Sequence, residues 1–275
     1  MSIISFKEFD VLYKTKVDNI NKFLTDEIQN LLSKHNYTWR QFNFRNYFLC
    51  SSNRYYIAYK SFYKIHEGRG KPSYCDIGGL FGIFPLVLKE LGFKVAFTEA
   101  LKYYDKSFNK LFDYLGSSGI EIIDTDPFDE NFNVSEKFDI VSAMAILEHY
   151  PYSPKLFFHN VLKILNKPGS LYIEVPNIAY YYKRKDLVFG KTPLNNMQDI
   201  YNSAVPFTGH HHEYTYKELL FLLNENNLKP GTINFYTYSY KFDIKFILKN
   251  PLSTICQSLF PSCKEVMAVN SLYEI

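Results

Sequence analysis

The stretch Tyr74–Ala100, YCDIGGLFGIFPLVLKELGFKVAFTEA, decides how the rest of the chain is read. Two short apolar runs enclose a turn that holds Gly78, Gly79 and Gly82, with a carboxylate, Asp76, just ahead of it. Glycines let backbone pass where a Cβ would clash, so the turn suits close approach by a ligand. Phe84, Val87, Leu88 and Leu91 then make one helical face, and the next apolar run ends at Glu99.

Downstream the same alternation continues. SYCDI, KVAFT, GIEII, FDIVSAM and SLYIEV each read as a buried parallel strand, with helical patterns between them, and this alternation means an α/β fold. Upstream, from Phe6 to about His35, apolar residues such as Phe9, Leu12, Ile20, Ile28 and Leu31 recur at helical spacing, so an amphipathic helix is expected there. A second helix is expected near RYYIAYKSFYKI, before the breaker EGRGKPS. Residues 1–70 therefore read as an N-terminal helical cap and 71–275 as the main domain. Within the latter, 176–213 is polar and aromatic with Pro193, Pro206 and Gly209, which suits a substrate-binding insertion or lid. TYKELLFLLNENNL reads as a helix capped by Thr215 with Glu218 three residues on, and GTINFYTY and KEVMAVNSL read as further strands.

Composition excludes several classes. A chain of 275 residues with 47% hydrophobic content buries one main core. The net charge of +3 is spread rather than blocked, so no nucleic-acid partner is expected. Cys50, Cys75, Cys256 and Cys263 form no CxxC pair and read as reduced thiols, which points to the cytoplasm. No apolar run approaches the roughly 18 residues of a membrane span, and no membrane partner is expected. The 24 Tyr and 25 Phe are scattered among Lys, Asn and Ile and mark no stacking surface.

The glycine turn narrows the ligand. A P-loop needs GxxxxGK[ST], whereas Gly78 plus five is Ile83 followed by Phe84. A dinucleotide fingerprint needs GxGxxG, which Gly78, Gly79 and Gly82 do not fit, and Asp76 would sit badly against a pyrophosphate. A carboxylate ahead of the glycines favours a cofactor with a positive head, such as S-adenosylmethionine, whose carboxylate would meet N–H groups at the start of the helix after Gly82. Glu99, at the end of the second strand, is placed to accept ribose hydroxyls. Asp124, after the third strand, is placed to take an adenine amino group, although DTDPFD is equally good turn chemistry.

With these residues the chain resembles the class I S-adenosylmethionine-dependent methyltransferases. DIGGLFG is similar to the family's first motif, with Leu80 in place of its middle glycine; TEA resembles the acidic ribose motif, FDIVSAMAILEHY the fourth-strand motif, and GSLYIEVPN the fifth strand. The resemblance implies a Rossmann-like, seven-stranded, mostly parallel sheet in the order 3214576, with helices on both faces and KEVMAVNSL as the antiparallel seventh strand. It implies Asp76, Gly78, Gly79, Gly82, Glu99, Asp124 and Ala143 as cofactor contacts. HHHEYTYKELLFLLNENNLKP is similar to the small-molecule branch, which includes sugar O-methyltransferases. That branch implies a small polar acceptor, anionic or nucleotide-linked, in surface polysaccharide biosynthesis. Some relatives hold a divalent ion through ExxEH, but Ala145 replaces the first glutamate here and no metal is expected.

Methyl transfer is an in-line displacement for which the protein supplies alignment and sometimes a base. His149, after the fourth strand, is the leading candidate base, with Glu148 and His211 beside it; a helix-capping role is the competing reading for His149. Three adjacent histidines cannot all point one way, so His210 and His212 are expected to face substrate or solvent. Tyr181 and Arg184, in the run Tyr180–Lys185, could receive an anionic acceptor or form the solvated face of a helix. A degenerate scaffold subunit and an NAD-type oxidoreductase or epimerase are the alternatives from other classes.

Overall fold

The computed structural model describes residues 3–65, 70–239 and 243–274. Four helices come first: α1 (Phe6–Ile20), α2 (Asp26–Lys34), α3 (Phe44–Cys50) and α4 (Ser52–Ile65). The helix expected from Phe6 to His35 is therefore two. A capping box between Ser5 and Glu8 starts α1, the chain turns through a single 3₁₀ turn at Asn21–Phe23, and the Thr25 hydroxyl accepts the Ile28 N–H to start α2. Of the expected breaker EGRGKPS, residues 67–69 lie outside the described residues.

The strands and helices that follow are β1 (Ser73–Ile77), α5 (Ile83–Glu90), β2 (Lys94–Glu99), α6 (Asn109–Ser117), β3 (Glu121–Asp124), β4 (Phe138–Met144), α7 (Lys155–Lys163) and β5 (Leu165–Pro176). Next come α8 (Tyr181–Val188) and α9 (Met197–Asn202) in the insertion, then α10 (Tyr216–Glu225) and β6 (Lys229–Tyr236). Helices α11 (Ile244–Lys249) and α12 (Pro251–Leu259) precede the last strand, β7 (Val266–Tyr273). The expected capping box at α10 is present, Thr215 and Glu218 each bonding the other's backbone N–H.

All seven strands form one sheet in the order β3-β2-β1-β4-β5-β7-β6. The first five are parallel, and β7 inserts antiparallel between β5 and β6. This is the expected 3214576 arrangement. Alternate residues of the central strands serve two cores. Tyr74, Phe97, Ile140, Tyr172 and Ala268 pack against the N-terminal helices, α5 and α6; Cys75, Ala96, Val141, Ile173 and Val269 pack against α7 and α10. Both faces are thus closed by helices, which leaves the carboxyl ends of the parallel strands as the place for ligands.

The N-terminal helices are fastened to that edge by a buried ion pair. Arg54 of α4 lies with its Nε 2.6 Å from Glu174 Oε1 on β5, both side chains being 2% exposed. Arg54 also donates to the Tyr47 hydroxyl at 2.7 Å, and the Tyr236 hydroxyl donates to Glu174.

Candidate functional site

At the carboxyl end of β1, Asp76 is buried and accepts from the Ser142 hydroxyl of β4, which itself meets the Tyr74 hydroxyl at 2.7 Å. Burial lifts the Asp76 carboxyl to about 6, while Ser142 and Tyr74 pull the other way. The turn that follows is left-handed three times, with φ of +67° at Gly78, +36° at Leu80 and +63° at Gly82. Gly79 is needed for a different reason: a Cβ there would lie 2.7 Å from the Phe97 ring.

Leu80, the departure from the glycine pattern, keeps glycine-like backbone. Its N–H donates to Glu99 Oε2 at 2.8 Å, while Glu99 Oε1 accepts from the Tyr104 hydroxyl at 2.9 Å. Glu99 thus clasps the glycine turn and still has lone pairs for further donors. Burial raises its carboxyl to about 7, opposed by those two hydrogen bonds. Asp124 stands level with Glu99 on β3, is exposed, and accepts from the Leu101 N–H at 3.0 Å. Three acceptors therefore end three adjacent strands, a donor-seeking edge that fits an ammonium, a ribose and an adenine amino group in turn. Ala143, one residue from the end of β4 and level with Ile77 at the end of β1, is fully buried in the core beside α7.

Beyond β4, the turn Leu147–His149 brings Glu148 and His149 to face the end of the insertion. Glu148, His149 and His210 offer ligand atoms all within 4.8 Å of one another, a group that could also hold a metal ion. The two imidazoles meet edge to face with centroids 4.9 Å apart. Each is anchored through Nδ1, His149 on the Thr208 carbonyl oxygen at 2.8 Å and His210 on Glu213 Oε1 at 2.9 Å. Such anchoring places the ring proton on Nδ1 and leaves Nε2 with a lone pair. Burial lowers the proton affinity of both rings, that of His210 to about 3. Glu148 is fully buried, neither carboxyl oxygen has a hydrogen-bond partner, and burial lifts it to about 8.

The other histidines turn elsewhere. His211, a candidate catalytic residue, is exposed and donates from Nε2 to the Phe207 carbonyl oxygen at 3.0 Å, so it is His210 that joins Glu148 and His149. His212 packs on Tyr214 and stands 3.7 Å from Glu218 Oε1, near the start of α10. Tyr181 lies half-buried with its ring edge-on to Tyr182. Arg184 is exposed, its Nε donating to the Ala179 carbonyl oxygen at 2.5 Å. The basic residue that points inward is Lys183, which pairs with Glu213; burial lowers its ammonium to about 8.

The family model described as a methyltransferase domain matches residues 20–231. The chain belongs to this methyltransferase family. Solved structures of the same fold include the magnesium protoporphyrin IX methyltransferase of Synechocystis with S-adenosylhomocysteine bound, at 12% identity and TM-score 0.55, covering 85% of this methyltransferase and 89% of that chain. The plantazolicin methyltransferase BpumL, also with S-adenosylhomocysteine, matches at 13% identity and TM-score 0.53 over 98% of both chains. A methyltransferase from Haloferax volcanii, in complex with its Trm112 activator, matches at 11% identity and TM-score 0.54 over 82% of this chain and 92% of that one. No curated protein matches by sequence. The protein is an S-adenosylmethionine-dependent methyltransferase. Reading the sequence of this methyltransferase missed Arg54, Glu174, Ser142 and Tyr104. The one signal was Glu174 itself, a carboxylate inside an apolar strand, which demands a buried partner without saying where it lies.

Proposed function

We propose that this methyltransferase O-methylates a small polar acceptor, with the proton leaving through the His149 and His210 pair. The observation that carries this reading is the pair of Nδ1-anchored, neutral imidazoles converging on an orphaned buried carboxyl. A hydroxyl must lose its proton as the new bond forms, whereas an amine sheds it afterwards, so a built base favours oxygen over nitrogen.

S-adenosylmethionine, when bound, supplies the electrophilic methyl carbon. Asp76 and Glu99 would hold its ammonium and ribose, and Asp124 its adenine amino group. Nε2 of His149 or His210 takes the acceptor's proton, the imidazolium being steadied through Nδ1 by the Thr208 carbonyl oxygen in the first case and by Glu213 in the second. Glu148, neutral at pH 7, finds its missing partner in a second hydroxyl of the acceptor. Such paired hydroxyls suit a sugar, and the exposed Arg184, Lys185 and Lys191 of the insertion offer charge to a linked phosphate, as in a nucleotide-activated intermediate of surface polysaccharide synthesis. Four free cysteines fit a reducing, cytoplasmic setting.

The test is transfer from labelled S-adenosylmethionine to sugar nucleotides and to amines, with S-adenosylhomocysteine titrated in parallel. Glu99→Ala should weaken cofactor binding. His149→Ala and His210→Gln should leave binding intact and slow transfer by about 10²–10⁴. Equal loss of cofactor affinity in all three, or transfer to amines alone, would remove the base from the mechanism.

A further inference from the structure

Helix α12 is inside out, and α11 before it buries none of its residues. In an ordinary surface helix the apolar stripe faces the core and the polar residues face water. Here Ser253 and Gln257 are the buried residues of α12, and their polar groups are used against the protein: Gln257 Nε2 donates to Ser253 Oγ at 2.8 Å, and the Thr237 hydroxyl donates to Gln257 Oε1 at 2.8 Å. The Tyr182 hydroxyl of α8 donates to Asn250 Oδ1 at 3.2 Å, between α11 and α12.

The apolar side chains point the other way. Ile244 and Leu248 are each 76% exposed, Leu252 68%, Ile255 54% and Leu259 67%. Ile244 and Leu248 are four apart on α11, and Leu252, Ile255 and Leu259 are three and four apart on α12, so each helix carries its own exposed stripe. Next to it, at the end of α8, which packs against α12, Leu187, Val188 and Phe189 are exposed as well. A stripe of this length facing water indicates an occupant.

From the inverted α12 and the exposed apolar residues of α11 beside it, we infer that this face seats the protein on an anionic bilayer surface. Two features select lipid over a protein partner. Between residues 244 and 260 there are two lysines, Lys245 and Lys249, and no acidic residue, which is the charge pattern of a helix lying in a headgroup layer. The exposed residues of α11 and α12 themselves are aliphatic, with Phe189 and Phe260 at the margin and no exposed Tyr, Trp, Met or Arg among them, a composition that suits an acyl boundary. The attachment is of the lying type, since among the described residues no helix is long and apolar enough to cross a membrane. Lys183 of α8 pairs with Glu213, which holds His210, so the membrane seat and the candidate site share one helix. This inference does not depend on the nature of that acceptor.

The test is co-sedimentation of the full chain with vesicles of phosphatidylcholine alone or with phosphatidylglycerol added. Partitioning should be on the order of 10- to 30-fold stronger on the anionic vesicles, as two lysines near a charged surface provide, and should fall as salt is raised. The variant Leu248→Glu/Leu252→Glu/Leu259→Glu should stay in the supernatant while still binding S-adenosylhomocysteine, and Lys245→Glu/Lys249→Glu should abolish the preference for anionic lipid. Wild-type protein that remains in the supernatant with anionic vesicles would overturn the inference. So would a dimer that the leucine substitutions dissociate, which would make the face an interface between copies.

Discussion

Replacing Arg54 by Met tests the fastening between the helical cap and the sheet edge. The substitution keeps the bulk of the side chain and removes the guanidinium that lies 2.6 Å from Glu174. Burial already raises the Glu174 carboxyl, and Arg54 is the leading influence against it. Without Arg54 the buried group takes up a proton, because neutralising it costs less than keeping a lone charge in the interior. Holding a glutamate neutral at pH 7, about 2.7 pH units above its ordinary value, costs up to about 3.7 kcal/mol at about 1.4 kcal/mol per unit. At about 2–4 °C per kcal/mol, Tm should fall by about 7–15 °C. The sign of the pH dependence is fixed: a carboxyl whose folded pKa is raised binds its proton more readily in the folded state, so the penalty shrinks as pH falls toward the unfolded value. At pH 5.5 it should be about 1.6 kcal/mol and the loss about 3–6 °C. Thermal unfolding followed by circular dichroism at both pH values is the assay, with Arg54→Met/Glu174→Gln as the double variant that restores most of the loss. A loss equal at pH 5.5 and pH 7, or one below about 2 °C, would refute a charge-based clamp.

Three further outcomes are expected. Because both candidate bases are held neutral, kcat should stay flat with falling pH until well below 6.5, the usual histidine value, in a stopped assay at saturating acceptor. His210 remains neutral when folded but protonates when unfolded, so stability should fall by about 1.4 kcal/mol per pH unit below about 6.5, and His210→Gln should flatten that slope in urea titrations. Tyr104→Phe removes one of the two donors on Glu99 and should weaken S-adenosylhomocysteine several-fold by calorimetry, less than Glu99→Ala does; unchanged affinity would detach the clasp from cofactor binding.

The sheet was legible because strand and helix periods alternate through most of the stretch from Ser73 to Pro176, and the glycine turn with Asp76 and Glu99 falls at the carboxyl edge of that sheet. The Glu148 group was half legible. Glu148 and His149 follow the fourth strand directly, but which of three consecutive histidines meets them depends on the turn before α10, where Glu213 captures His210 and the Phe207 carbonyl captures His211. In the basic run after the fifth strand, helical rotation sends Lys183 inward and Arg184 out, a division that composition alone does not show. Arg54 and Glu174 lie 120 positions apart in the chain, and only the folded topology joins them.

The place of β7 governs when this protein comes together. β6 is hydrogen-bonded to β7 and to no other described strand, and β7 alone covers the open side of β5. A chain on the ribosome that has reached α12 therefore carries an unpaired strand and an open sheet edge, both of which invite association with other nascent chains. Nor is the beginning of the chain secure by then, since Asn270 of β7 donates to the Ser61 carbonyl oxygen of α4 at 3.2 Å, across 209 residues. The earliest helices and the latest strand are parts of one closure, and until Val266–Tyr273 slides between its neighbours the methyltransferase has neither a finished sheet nor a fully docked cap.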